Sequence, residues 1–92
     1  MNAKGWRLFL ELCLKVEDEK LLSEFFDLFL TPEEISSLET RTLIVKELLE
    51  QKKTQRHIAD DLNVSIAKIT RGSNELKGIS AKLKQFLEMH LN

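Results

Sequence analysis

The stretch Thr54 to Glu75, T-Q-R-H-I-A-D-D-L-N-V-S-I-A-K-I-T-R-G-S-N-E, leaves this chain few folds to choose from. It divides into two short helices around a tight turn. Ile58, Ala59 and Leu62 stand at i, i+1 and i+4, so a helix from about Gln55 to Leu62 gathers them on one apolar face. Thr54 is placed to cap that helix. Asn63 falls where the helix must end and the backbone needs a positive φ, which asparagine tolerates better than most residues. Val64 fills the corner, and Ser65 can cap a second helix beginning at Ile66. Ala59 is small where the two helices would cross at close range. Many such helix pairs merely pack together. The small Ala59, the turn at Asn63 and the apolar Val64 and Ile69 instead point to a helix-turn-helix over residues 54–78, with Ile66–Lys77 as the element that would enter a DNA major groove.

The second helix carries an oddity. Gly72, Ser73 and Asn74 interrupt it, and each is a poor helix former, together costing about 2 kcal/mol relative to alanine. Such a helix is expected to need support from a bound ligand or from DNA. A net charge of −1 also looks wrong for a DNA binder until it is divided along the chain. Residues 1–50 hold six Lys/Arg against eleven Asp/Glu, whereas residues 51–92 hold eight against four. The positive excess lies in the half that contains the helix-turn-helix, as an electrostatic footprint on DNA requires.

Upstream, Trp6 to about Glu17 places Trp6, Phe9, Leu10, Cys13 and Val16 on one helical face, with Leu8 and Leu12 on another. A second helix, about Glu19 to Phe29, carries Leu21, Leu22, Phe25, Phe26, Leu28 and Phe29. From Trp6 to Leu30, fifteen of twenty-five residues are apolar. A thick monomer core is one reading. The other is a homodimer in which these helices pack against a partner, because two surface helices of a small monomer cannot hide so many apolar residues. Thr31-Pro32-Glu33-Glu34 is a helix start, with Thr as N-cap, Pro at the first position and Glu completing a capping box. That helix should run to about Gln51 and bury Ile35, Leu38, Ile44, Val45, Leu48 and Leu49. Gly78 ends the recognition helix. Ser80 can cap a last helix bearing Leu83, Phe86, Leu87, His90 and Leu91.

The chain is expected to form one all-α domain, 1–92, with core helices over 6–51, the helix-turn-helix over 54–78 and a C-terminal core helix over 80–92. Cys13 reads as a buried structural thiol, which excludes an internal disulfide framework and fits a reducing, cytoplasmic setting. Arg7, Glu11 and Lys15 break the first apolar run, so it is neither a signal peptide nor a membrane span. No catalytic constellation and no metal site is expected: His57 and His90 fall on different helices, and no glycine-rich phosphate loop follows a strand. Arg41 taken alone is more often a solvated charge than a site residue.

Thr70-Arg71-Gly72-Ser73-Asn74, together with Leu30-Thr31-Pro32-Glu33-Glu34, Thr40-Arg41 and Ile44-Val45-Lys46-Glu47-Leu48-Leu49, resembles the tryptophan repressor family. The likeness runs without gaps from Trp6 into the C-terminal helix. It implies six helices per subunit, an intertwined homodimer, operator DNA as partner and L-tryptophan as corepressor, with no other cofactor. By that resemblance the effector sits between subunits beside the recognition helix. Arg71 would pair with its carboxylate and, with Arg41 of the partner subunit, sandwich the indole, which the flat guanidinium does better than lysine. Thr31 would offer its hydroxyl to the carboxylate, and main-chain carbonyls near Leu28 and Leu30 would accept from the ammonium group. Gly72 would let the indole lie against the helix. Glu75 departs from the family pattern, where serine stands in the best-known members. It is expected near the ligand ammonium, the alternative being that it folds back onto Arg71. A lysine often stands in the family where Ala59 is here.

On DNA, Gln55 and Arg56 would reach phosphate or a base edge from the start of the first helix. Ile66, Ala67, Lys68 and Thr70 would face the major groove, and Asn74 and Lys77 the backbone. The reading is thus a tryptophan-activated repressor of tryptophan biosynthesis or uptake genes. The alternatives are a regulator of the same fold with another effector or none, and a helical protein–protein interaction domain, against which the segregated basic charge and the Arg-Gly-Ser-Asn run both argue.

Overall fold

The structure, a computed structural model, describes residues 3–91. Residues 1, 2 and 92, which the sequence reading includes in its single domain, lie outside the described residues. The fold is all-α: α1 Ala3–Lys15, α2 Glu19–Phe29, α3 Pro32–Glu50, α4 Gln55–Leu62, α5 Ile66–Leu76 and α6 Ala81–Leu91, with no strand among the described residues. Local chemistry sets most of the boundaries. Asp18 caps α2 by accepting from the Leu21 amide at 2.8 Å. The capping box at α3 closes in both directions, with the Thr31 amide donating to Glu34 Oε1 at 2.8 Å and the Glu34 amide donating to Thr31 Oγ1 at 3.1 Å. Thr54 and Ser65 accept from the His57 and Lys68 amides, and Ser80 accepts from Leu83. Asn63 ends α4 in the left-handed region at φ 54°, ψ 48°. Gln51, just past α3, also has a positive φ of 57°.

Backbone contacts divide the chain into two compact units, one ending at Ile35 and the other beginning at Ser36. The sequence grouping, which kept 6–51 together, differs because it followed helix boundaries. The division falls inside α3, whose first turn goes with α1 and α2 while Ile44 and Leu48 pack with the helices that follow.

In the first unit an aromatic cluster centres on Phe9. Its ring lies 5.7 Å from Trp6, 5.3 Å from Phe25 and 5.5 Å from Phe29, the last edge-on. Neither α1 nor α2 has a buried residue. Trp6 remains 56% exposed, Phe29 50% and Leu14 86%. Cys13 is half-buried, where a buried thiol was expected.

In the second unit Ile44, Ile58, Ala59 and Ile69 form the buried core, with Leu48, Leu62 and Val64 packed against it. Ala59 serves the close crossing of α4 and α5. Leu38 does not belong to the buried stripe expected of α3, being 47% exposed. The helix α5 runs unbroken through Gly72, Ser73 and Asn74. A Cβ at Gly72 would stand 3.2 Å from Ile44 Cγ2 and 3.6 Å from Leu48 Cδ1. The helix-weakening glycine therefore permits the approach of α5 to α3, a role the sequence reading did not give it.

Lys53, in the loop before α4, donates to Glu47 Oε1 of α3 at 2.6 Å and to Asp61 Oδ2 of α4. Its hydrogen bonds to these two carboxylates, Asp61 first, hold its ammonium above the ordinary 10.5. The same bond to Lys53 holds the Asp61 carboxyl below its ordinary 3.8.

Two outcomes follow from this packing. Gly72→Ala should stay within about 1 kcal/mol of the parent, since the helix-propensity gain of roughly 1 kcal/mol offsets the tight methyl contact with Ile44. Gly72→Val, whose γ-carbons extend past that contact, should lose about 2 kcal/mol or more by urea unfolding. The second outcome concerns pH. Asp61, a depressed acid, contributes stability that is present above its unfolded value near 3.8 and is lost as pH falls through the lower folded value. Lys53, a raised base, contributes stability that is present below 10.5 and is lost only above its folded value. Asp61→Asn should therefore melt below the parent near neutral pH, and the two curves should converge as pH drops below the ordinary carboxyl range.

Candidate functional site

The fully buried Ile69 commits one side of α5 to the core and leaves two others for function. On the outer side Ile66, Ala67, Lys68, Thr70, Asn74 and Lys77 are all exposed. Ala67, Thr70, Arg71, Asn74 and Glu75 line an open depression there of about 540 Å³. Arg56, at the start of α4, is exposed, and Gln55 beside it is half-buried. Gln55 and Thr70 are joined by a hydrogen bond of 3.1 Å from the Thr70 hydroxyl to Gln55 Oε1. Every residue expected to meet DNA is thus carried by α4, α5 or the residue that ends α5.

The other side of α5 walls a groove of about 500 Å³. From α3 it takes Ser36, Ser37, Thr40 and Arg41 at the rim and Ile44 and Val45 below, and from α5 it takes Lys68, Arg71, Gly72 and Glu75. Leu83 and Leu87 of α6 close it with apolar surface. The groove thus pairs an apolar floor with cationic and hydroxyl groups, which suits a flat apolar ligand bearing an anionic group. Arg41 and Arg71 line one groove within a single chain. Lys68, read only as a DNA contact, lines the groove as well.

Glu75 lies on Arg71, whose Nε–H donates to Glu75 Oε1 at 3.1 Å, both side chains well exposed. This is the arrangement the sequence reading ranked second, and it arises because residues four apart on a helix face one another. Leu28, Leu30 and Thr31 belong to the first unit. Leu28 is 77% exposed in the last turn of α2, where carbonyls have no intrahelical partner. The Thr31 oxygen accepts from the Glu34 amide, which leaves its hydroxyl proton available for donation.

Sequence reasoning missed the groove's hydroxyl rim, although Ser36, Ser37 and Thr40 at i, i+1 and i+4 on one face of α3 were a visible signal. It also missed the Gln55–Thr70 pair and the Lys53 node, for which spacing offers no signal. Among the described residues no group of His, Cys, Asp and Glu could hold a metal ion. No helix among them is long and apolar enough to cross a membrane.

Residues 4–91 match the family model described as Trp repressor protein. The Trp operon repressor homolog of Chlamydia caviae is 52% identical over 87 residues, covering 95% of this chain and 86% of that one. The homolog of Chlamydia trachomatis serovar D is 47% identical, covering 95% of this chain and 93% of its own. That of Haemophilus influenzae (strain PittEE) is 35% identical over 91 residues, covering 99% of this chain and 90% of its own. A match over almost the whole chain, on a fold that exposes one face of a helix-turn-helix, leaves one conclusion: the chain belongs to the Trp repressor protein family and is a transcriptional repressor, not an enzyme.

Proposed function

We propose that this chain is a tryptophan-activated repressor that binds operator DNA as a homodimer through α4 and α5 and controls tryptophan biosynthesis or uptake genes. The observation that carries the reading is the groove of about 500 Å³ backing α5, with Arg41 and Arg71 above an apolar floor. Its volume lies in the range of small-molecule sites. Tryptophan matches it in kind: the indole against Ile44 and Leu87, the carboxylate toward Arg71. Because α5 is a wall of the groove, an occupant bears directly on how the recognition helix is held. In this reading the effector sets the spacing of the two recognition helices of a dimer. The homodimer is supported by α1 and α2, which carry an aromatic cluster yet bury no residue. Exposed apolar surface on this scale is the usual mark of an association face.

A second reading, the same DNA-binding fold with another effector or none, is favoured by Glu75, which already occupies the Nε edge of Arg71. Calorimetry with L-tryptophan separates the two. The expected result is binding of one ligand per chain, weakened about tenfold by Arg71→Lys, which keeps the charge but loses the planar fork. Sedimentation should find a dimer at micromolar concentration, and a selected duplex should tighten tryptophan binding by the same factor as tryptophan tightens the duplex. No heat of binding, or a folded monomer, would count against the proposal.

Glu75 provides a separate measurement. An exposed ion pair of this kind contributes roughly 0.5 kcal/mol at most, so Glu75→Ser should raise affinity for both tryptophan and indole propionate by no more than about twofold. A loss confined to tryptophan, the ligand with the amine, would instead show Glu75 serving the ammonium group.

A further inference from the structure

The hydrogen bond between Gln55 and Thr70 carries more than a tie between helices. It joins the first residue of α4 to the exposed outer side of α5, across fifteen residues of sequence. The direction of the bond matters. Thr70 donates its hydroxyl proton, so the Gln55 carbonyl oxygen is turned toward α5 and its NH₂ group, carrying two donors, is turned away from it. Thr70 lies in the open depression on the outer side of α5 and does not line the groove on the other side. Its hydroxyl is therefore placed to act on the DNA-facing surface without touching the effector site.

We infer that Thr70 is a positioning residue that holds Gln55 as a hydrogen-bond donor toward DNA, so that Gln55 seeks an acceptor and does not make the two-point contact to adenine. Two-point recognition of adenine by glutamine needs the amide oxygen to accept from N6 while the nitrogen donates to N7. Here the oxygen is drawn back to Thr70, and the exposed end of the amide can only donate. Its partner is then an acceptor on the duplex, either a phosphate oxygen or an acceptor edge such as guanine O6 and N7. This inference rests on the proposed DNA-binding role of α4 and α5 and assigns Thr70 a task distinct from direct base contact.

The test uses the full chain with saturating L-tryptophan and a duplex library of random sequence. The duplex best retained by the parent chain is then titrated with Gln55→Ala, Thr70→Val, Thr70→Ser and the Gln55→Ala/Thr70→Val double variant. Thr70→Val keeps the branched shape and removes the hydroxyl, and Thr70→Ser keeps the hydroxyl. The expected result is that Gln55→Ala and Thr70→Val each weaken binding about fivefold, that the double variant is no worse than either alone, and that Thr70→Ser matches the parent; one net hydrogen bond sets that scale. Tryptophan affinity should not move with Thr70→Val. Reselection with Thr70→Val distinguishes the two acceptors. A base edge is shown by a position that loses its preference and now admits adenine, and a phosphate by a uniform loss with the selected sequence unchanged. Additive losses in the double variant, an unchanged affinity in Thr70→Val, or a parent site already reading adenine through Gln55 would overturn the inference. Failure of the parent chain to retain any duplex would overturn the DNA-binding reading, and this inference with it.

Discussion

The approach of α5 to α3 at Gly72 and Ile44 is the contact on which the second unit depends. A Cβ at position 72 would stand 3.2 Å from Ile44 Cγ2, so the helices meet here with room for glycine and little beyond a methyl group. The recognition helix thereby gives up some intrinsic helicity, and Ile69, fully buried beside Ile58, compensates through packing. Most helices in proteins are stabilised in this way, by one apolar face and not by propensity. Once that face is committed, the two remaining sides of α5 diverge. One is exposed outward with Ile66, Thr70 and Asn74, the other walls the groove with Gly72, and Arg71 and Glu75 stand on the border and line both. A ligand in the groove and a duplex on the outer side would thus address the same rigid rod. Transmission between them needs no long pathway.

Electrostatics divides along similar lines. Asp61, in the last turn of α4, would oppose an approaching anion if its charge stood alone. The structure engages it with Lys53, which also holds Glu47. The node ties the end of α3 to α4, so the loop between them is anchored to the helix that floors the groove. Arg56, Lys68 and Lys77 then provide the cationic character of the outer surface. The first unit behaves differently. Its aromatic rings stack and tilt around Phe9, yet none of its helical residues is buried. A hydrophobic cluster left this open gains free energy by being covered, which is the physical basis for the proposal of a partner chain.

Much of the fold was legible in the sequence because its signals are local. Thr31 with Glu34, Thr54, Asn63, Ser65 and Ser80 each act within a few residues of themselves, through a side-chain oxygen meeting an amide or a backbone turning left-handed. Such interactions need no knowledge of what packs nearby, and the helix limits of α3, α4 and α5 agree with them to within a residue. The apolar periodicity of Ile58, Ala59, Leu62 and Ile69 likewise foretold which faces meet. Periodicity failed at Leu38, because an apolar stripe marks what could be buried and not how far along the helix its neighbours extend.

The residue types of the site were legible in part, since Arg41 and Arg71 announce themselves by chemistry. Their arrangement was not. That Arg41 and Arg71 line one groove in a single chain, that Gly72 faces Ile44, and that Thr70 turns the Gln55 amide are all decided by how α3, α4 and α5 cross. Lys53 finds Glu47 and Asp61 for the same reason, six and eight residues away on two different helices. The sequence by itself determined the helices, their caps and the faces they bury, because those follow from bonds between near neighbours. Only the tertiary structure decided which remote side chains share a partner, because that depends on distances that no spacing along the chain encodes.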